Sequence, residues 1–148
     1  AIIGIMQDMF FTSKQAAQIA GCTLRQLQYW REKEVIVPTI TSTGTGRSVY
    51  YSRSEVMELA LMVYCLGVGL NFEIAAATVN NLKDKELILP LVSEEVPQRF
   101  MLGWDEKLDK LELSEFDLEK AIAILEKGKP VIPVYLDDIY QKLAAKLG

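Results

Sequence analysis

Two helix-start signals on either side of a glycine constrain this chain more than any other feature. The stretch FTSKQAAQIAG contains Thr12 and Ser13, either of which can cap a helix. It ends at Gly21, which can adopt the positive φ that closes a helix. Thr23 then opens a second helix. Two short helices joined by a turn that contains glycine are typical of the helix-turn-helix motif.

The second helix, which we predict over residues 23–34, has two different sides. At 3.6 residues per turn, Leu24, Leu27 and Trp30 fall on one side, which we assign to the core. The other side carries polar and partly cationic side chains: Arg25, Gln28, Tyr29 and Glu32. The helix therefore offers a basic and aromatic face to a partner.

A hairpin is predicted over residues 39–51, after a short apolar run that stops at Pro38. Residues 39–42 and 48–51 are strand-like, and Gly44 and Gly46 mark a tight loop between them. Arg47 lies near the tip of this hairpin, which forms a wing beside the helices. Strand alternation sends one of Tyr50 and Tyr51 inward and the other outward, and the sequence does not decide which.

Two further helices are predicted after the hairpin. Ser52 or Ser54 caps a helix from Glu55 to Leu66, and Gly67 and Gly69 end it. Asn71 caps the next helix, from Phe72 to about Lys83.

After Lys85 the predicted elements change from mostly helices to alternating strands and helices. We predict strands at 99–104 and 108–113, a helix at 115–127 capped by Ser114, and a last helix at 136–147. Between the two helices, the segment around Pro133 is strand-like, and the proline makes it either an edge strand or an irregular segment. The predicted fold is mainly α with a small β wing: a winged helix-turn-helix domain at 11–85, then a small α+β domain at 86–148. Residues 1–10 are treated as an N-terminal extension.

Charge is unevenly distributed between these two parts. Residues 1–55 contain six Lys or Arg and four Asp or Glu, whereas residues 86–148 contain eight and thirteen. The weakly basic part can approach a polyanion, and the acidic part should face away from one.

The residue inventory disfavours catalysis. The chain has no histidine, which removes the commonest general base and the commonest metal ligand. Its two cysteines, Cys22 and Cys65, are interpreted as small core residues. We therefore predict no enzyme, no metal and no cofactor, and no apolar run is long enough to suggest a membrane span. The predicted location is the cytoplasm, at the nucleoid.

Residues 11–82 resemble the DNA-binding domain of MerR-type transcriptional regulators. That family's ordered series of residues is matched here by Phe11, Thr12, Gly21, Thr23, Arg25, Leu27, Tyr29, Trp30, Glu32, Val35, Ile36 and Pro38. The segments YYSRSEV and LGVGLNFEIAA resemble the family's later motifs. The family usually has Gly at the position of Glu34 and Arg at the position of Val49, where Arg47 is the available substitute. Pro90 interrupts the family's long dimerisation helix.

The resemblance implies a sequence-specific transcriptional regulator that binds double-stranded promoter DNA as a homodimer. It also implies distortion of the promoter spacer, which brings in RNA polymerase indirectly. The expected DNA contacts come from the recognition helix, the wing and the adjoining helix starts: Ser13, Thr23, Arg25, Gln28, Tyr29, Arg47, Tyr50, Tyr51 and Arg53. An effector ligand is not identified. The aromatic residues of the C-terminal part build either its core and a dimer contact or an apolar ligand pocket: Phe100, Trp104, Phe116, Tyr135 and Tyr140.

Two alternatives use the same fold. An architectural DNA-bending accessory of the excisionase type would be short and strongly basic, and the acidic C-terminal part argues against it. A protein-interaction module that has lost DNA binding gains support from the small positive charge of residues 1–55.

Overall fold

The computed structural model describes residues 10–41, 49–88 and 97–147, which divide into two compact units. The described residues of the first unit are 10–41, 49–88 and 139–147, and those of the second are 97–138. The chain mixes helices and strands, with six helices and two three-stranded sheets in these ranges. No helix among the described residues is both long and apolar enough to cross a membrane.

The first unit is built from three short strands and four helices. In chain order these are β1 (Phe10–Thr12), α1 (Ser13–Ala20), α2 (Leu24–Glu32), β2 (Ile40–Thr41), β3 (Val49–Ser52), α3 (Arg53–Gly67) and α4 (Phe72–Asp84). The strands form an antiparallel sheet in the order β1-β3-β2. The strand β1 was not predicted from the sequence, because three residues are too few to show a period of two.

Side-chain caps fix where these helices begin. Thr12, Thr23 and Ser52 each accept a hydrogen bond from the backbone N–H three residues later. Gln15, Gln26 and Glu55 at those later positions accept in return from the capping residue's N–H, which completes three capping boxes. The prediction of Ser13 or Ser54 as alternative caps is resolved in favour of Thr12 and Ser52.

The core of the first unit is centred on α3. Val56, Leu59 and Cys65 of this helix are fully buried, and α1 packs against both α2 and α3. Leu27 and Trp30 of α2 are buried as predicted, but the prediction for Leu24 was wrong, because its side chain is 49% exposed. Leu24 is the first residue of α2 and lies at the margin of the packed face.

The second unit is a three-stranded antiparallel sheet with one helix on it. Its elements are β4 (Arg99–Asp105), β5 (Lys110–Glu115), α5 (Leu118–Glu126) and β6 (Val131–Tyr135), and the strand order is β5-β4-β6. Helix α5 packs against β4 and β6. The helix α6 (Leu136–Leu147) begins in this unit, and from Ile139 onward it belongs to the first.

Two predictions for the second unit were displaced along the chain. The second strand was expected to end at Leu113, but it continues to Glu115 because Ser114 and Glu115 pair with Met101 and Phe100. Ser114 therefore lies in the sheet, and Asp117 caps the helix instead by accepting from the N–H of Lys120. Pro133 lies in the edge strand β6, so the first of the two alternatives for this segment is correct.

Candidate nucleic-acid interface

The start of α2 is fixed by a capping box between Thr23 and Gln26. The hydroxyl of Thr23 accepts from the N–H of Gln26 at 3.0 Å, and the side chain of Gln26 accepts from the N–H of Thr23 at 3.0 Å. Arg25 and Gln28 follow on the outer side of the helix and are exposed. The buried side chains of Leu27 and Trp30 on the opposite side fix the rotation of the helix, so that this outer side faces solvent.

The end of α2 is a Schellman motif. The N–H of Val35 donates to the carbonyl of Trp30 at 2.9 Å, and the N–H of Glu34 donates to the carbonyl of Arg31 at 3.0 Å. Glu34 occupies the left-handed position of this motif, with φ of 58°. The motif turns the chain inward, where Val35 and Ile36 are buried and the route to β2 begins.

Tyr29 projects from α2 but is braced by α4. Its ring packs edge-to-face on the ring of Phe72, with the ring centroids 5.2 Å apart. The side-chain nitrogen of Lys33, the residue that follows α2, lies 5.6 Å from the centre of the Tyr29 ring. Lys33 was not among the predicted site residues, although its spacing of four residues from Tyr29 on one helix is a readable signal.

The carboxylate of Glu55 holds the base of the predicted hairpin. It accepts hydrogen bonds from the backbone N–H of Thr39 and of Ser52, both at 2.9 Å, and it also pairs with the hydroxyl of Thr39. These bonds tie the residue that precedes β2 to the start of α3. From the sequence, Glu55 was expected only in the first turn of a helix, and this role was not predicted.

The ambiguity between the two adjacent tyrosines is resolved by burial. Tyr51 is fully buried, its hydroxyl has no hydrogen-bond partner among the described residues, and its burial raises its pKa to about 12. It therefore lies in the core and leaves the set of candidate DNA contacts. Tyr50 is half-buried in β3, where it pairs with Thr12 and Ile40 on the two neighbouring strands.

The remaining predicted residues lie at helix starts or outside the described ranges. Ser13 and Arg53 are the first residues of α1 and α3, and both are half-buried. The Nε atom of Arg53 is buried without a hydrogen-bond partner in the described part of the chain. Arg47 and the tip of the predicted wing fall in residues 42–48, which lie outside the described residues.

The cysteines do not form a reactive pair. Cys65 is fully buried and Cys22 is half-buried, and burial raises the pKa of the Cys65 thiol to about 12 and that of the Cys22 thiol to about 11. Both thiols are therefore protonated at neutral pH. Within the described ranges, no group of three or more His, Cys, Asp or Glu side chains is arranged to hold a metal ion.

Helix α1 is joined to α2 at Gly21 and packs against both α2 and α3, and these helices define a helix-turn-helix domain. Residues 11–82, just under half of the chain, match the family model described as "MerR HTH family regulatory protein". The resemblance deduced from the sequence motifs is thereby confirmed for the N-terminal half.

Three curated relatives match about half of this chain. They are uncharacterized HTH-type transcriptional regulators from Mycobacterium bovis and from two strains of Mycobacterium tuberculosis, each 32% identical to this chain over 76 residues. The aligned region is 51% of this chain and 34% of each relative. The chain therefore spans about a third of the length of the curated relatives it matches.

Proposed function

We propose that this protein is a sequence-specific transcriptional regulator that binds promoter DNA as a homodimer. Residues 11–85 serve as a winged helix-turn-helix domain, with α2 as the recognition helix and residues 39–51 as the wing. Residues 86–148 form an α+β dimerisation and effector domain. Distortion of the promoter spacer is the route by which such a dimer acts on RNA polymerase.

The observation that carries the proposal is the two-sided character of α2. Leu27 and Trp30 are buried, so Arg25, Gln28 and Tyr29 are held on the exposed side of a helix whose two ends are both capped. An α-helix of this kind fits the DNA major groove. Arg25 suits a guanine edge or a phosphate, Gln28 an adenine edge, and the Tyr29 hydroxyl a phosphate.

Flanking phosphate contacts are assigned to the elements around α2. Thr23 and Ser13 lie at helix starts, where backbone N–H groups favour anions. Arg53 begins α3, and Tyr50 lies just before it in β3. Arg47, from the wing, completes the set.

The homodimer is assigned to the second unit. Leu118, Ile122 and Leu125 are 61%, 45% and 55% exposed, and their spacing of four and three residues puts them on one face of α5. Exposed apolar groups at this spacing mark a contact surface. A standard interface buries about 800 Å² on each partner, which is more than one short helix provides. We therefore assign the centre of the dimer contact to α5 and its rim to the residues around α5.

The test first selects, from a pool of genomic fragments, the DNA that the full chain binds. The affinity of the full chain and of two variants for that DNA is then measured by fluorescence anisotropy, and each variant lacks one positive charge. Arg25→Ala should weaken binding by about 1–3 kcal/mol, which is roughly 5- to 150-fold. Lys110→Ala removes one positive charge from the second unit and should leave the affinity within about twofold, since Lys110 lies in β5 rather than on α2.

The salt dependence of the same measurement separates base reading from phosphate contact. If Arg25 contacts a phosphate, Arg25→Ala lowers the slope of log affinity against log salt by about one; if it reads a base, it relaxes the sequence preference instead. A pool that yields no enriched sequence, or an Arg25→Ala chain that binds like the wild type, would refute the proposal.

A further inference from the structure

A surface cavity of about 350 Å³ lies wholly within the second unit. One wall is the face of α5 that carries Lys120, Ala123, Ile124 and Lys127, spaced as neighbours on successive turns. The opposite side is formed by the end of β4 and the turn after it, and Lys129 borders the cavity after α5. The helix is close to the strand here: a Cβ atom added to Gly103 would lie 2.8 Å from Cδ1 of Ile124.

Lysines are concentrated at this cavity although the unit is acidic. Residues 97–138 contain ten Asp or Glu and six Lys or Arg, of which five are lysines. Four of those five lysines line the cavity: Lys107, Lys120, Lys127 and Lys129. The positive charges of the unit are therefore grouped at one cavity.

The two carboxylates at the cavity are already engaged. Asp105 Oδ1 accepts from the backbone N–H groups of Lys107 and Leu108, at 2.9 and 3.0 Å. Glu106 pairs with Lys127 at 3.5 Å. Lys107, Lys120 and Lys129 have no carboxylate partner among the described residues, so the cavity keeps an unbalanced positive charge.

Trp104 gives the cavity an aromatic wall. The side-chain nitrogen of Lys129 lies 5.6 Å from its ring centroid, and the ring is only half-buried. Its backbone N–H donates to the carbonyl of Pro130 at 3.2 Å, which fixes the end of β4 to the segment that carries Lys129. Ala123 has a small side chain, which leaves space for a planar group.

We propose that this cavity binds a small planar aromatic anion, with its ring against Trp104 and its anionic group among Lys107, Lys120 and Lys129. Ligand pockets commonly enclose about 300–1,000 Å³, so the cavity suits a ligand at the small end of that range. An aromatic phosphate, such as a nucleoside monophosphate, and an aromatic carboxylate share this chemistry. The proposal does not depend on DNA binding by the first unit.

The experiment is isothermal titration of the full chain with four probes. AMP and benzoate are the two aromatic anions, adenosine supplies a ring without charge, and inorganic phosphate supplies charge without a ring. At least one aromatic anion should bind saturably and at least tenfold more tightly than adenosine and phosphate. Preference between AMP and benzoate then identifies the phosphate or the carboxylate class.

Matched variants locate the binding. Lys107→Gln combined with Lys120→Gln should weaken the aromatic anion at least tenfold, and Lys110→Gln, which removes a lysine outside the cavity, should leave it within twofold. Trp104→Leu should weaken binding and Trp104→Phe should restore most of it. Both replaced lysines are exposed, so the circular dichroism of the double variant should match that of the wild type.

Several results would overturn the proposal. The proposal is wrong if neither aromatic anion binds, or if phosphate alone binds as tightly as AMP. It is also wrong if the double variant binds the aromatic anion as tightly as the wild type does. If the double variant instead weakens duplex DNA while no aromatic anion binds, the lysines serve nucleic acid and the small-molecule site is wrong.

Discussion

The ring of Tyr29 in α2 rests edge-to-face on the ring of Phe72 at the start of α4, with a centroid separation of 5.2 Å. This contact links the proposed recognition helix to a helix outside the helix-turn-helix pair. Tyr29 remains 45% exposed. We infer that Phe72 holds the ring while the Tyr29 hydroxyl remains available to a phosphate.

The first prediction separates that hydroxyl from the ring. Tyr29→Phe keeps the ring contact with Phe72, so the free energy of unfolding should change by less than about 0.5 kcal/mol. It removes a hydrogen bond to a charged group, so DNA affinity should fall about tenfold. Urea denaturation and fluorescence anisotropy on the same preparations give the two numbers.

Phe72→Ala provides the contrast, because it removes the support and leaves the hydroxyl. It should lower both the free energy of unfolding, by about 1–3 kcal/mol, and the affinity for DNA. Equal DNA affinity for Tyr29→Phe and wild type would show that the hydroxyl has no part in binding.

The second prediction concerns the ends of α2 and α4. Four helices in the described ranges end in the same Schellman hydrogen-bond pattern, and its left-handed residue is Gly69 after α3 and Gly128 after α5. The left-handed residue is Glu34 after α2, with φ of 58°, and Glu86 after α4, with φ of 57°. A residue with a side chain is strained in this region by about 1 kcal/mol.

Glu34→Gly and Glu86→Gly should therefore each raise the free energy of unfolding, by about 0.5 kcal/mol after the greater entropy of glycine in the unfolded chain is subtracted. Lys33→Gly is the matched control. Lys33 has an ordinary φ of −82°, so replacing it with glycine should lower the free energy of unfolding. Thermal unfolding of the three variants measures the sign. Destabilisation by all three would mean that neither glutamate is strained.

These caps show how far the sequence predicts this fold. Gly21, Gly67 and Gly69 marked helix ends correctly because glycine is the usual residue there, and Glu34 was recognisable only as a departure from the family's usual Gly. Leu24 was misassigned because helical periodicity does not show where the packed face ends. The three residues of β1 became a strand only by pairing with β3, a contact that local sequence does not contain.

The candidate interface was predictable to a similar degree. The spacing of Arg25, Gln28 and Tyr29 on α2 was enough to predict that they share an exposed face. Strand alternation alone could not choose between Tyr50 and Tyr51, because both are large and amphipathic and only the packing of β3 decides. The bonds from Glu55 to Thr39 cross sixteen residues of sequence and leave no local signal.

The third prediction tests the dimer contact proposed for α5. Ile122→Asp introduces a charge into the middle of the exposed apolar stripe, and a two-fold dimer would bring two such charges into its interface. The dissociation constant of the dimer should rise on the order of 100-fold. Sedimentation velocity across a concentration series measures it.

Ala77→Asp is the control for this change, since it adds the same charge at an exposed position of α4. Point substitution is preferable to removal of the whole C-terminal part, because the buried Leu143 lies in residues that belong to the first unit. A dimer of unchanged strength in Ile122→Asp would place the contact elsewhere.

The last prediction follows from a buried carboxyl group between α3 and α4. Glu58 is 5% exposed, and burial raises its pKa from the ordinary value of 4.5 to about 7 despite the opposing effect of the Lys83 charge. The side-chain nitrogen of Lys83 is 3.6 Å from Oε1 of Glu58, too long for a hydrogen bond, so it offsets the burial only in part.

Because the folded chain holds this proton more tightly than the unfolded chain does, the stabilisation is complete below pH 4.5 and is lost as the pH rises through 7. The total loss in the free energy of unfolding should be on the order of 3 kcal/mol, most of it between pH 5 and pH 8. Glu58→Gln is neutral at every pH and has the same shape, so the difference between wild type and variant isolates this one group from the other carboxylates. Urea denaturation at pH 5 and pH 8 should show that the free energy of unfolding of the variant increases relative to that of the wild type as the pH rises. If the two free energies change in parallel between these pH values, Glu58 is ionised in the folded protein over this whole range.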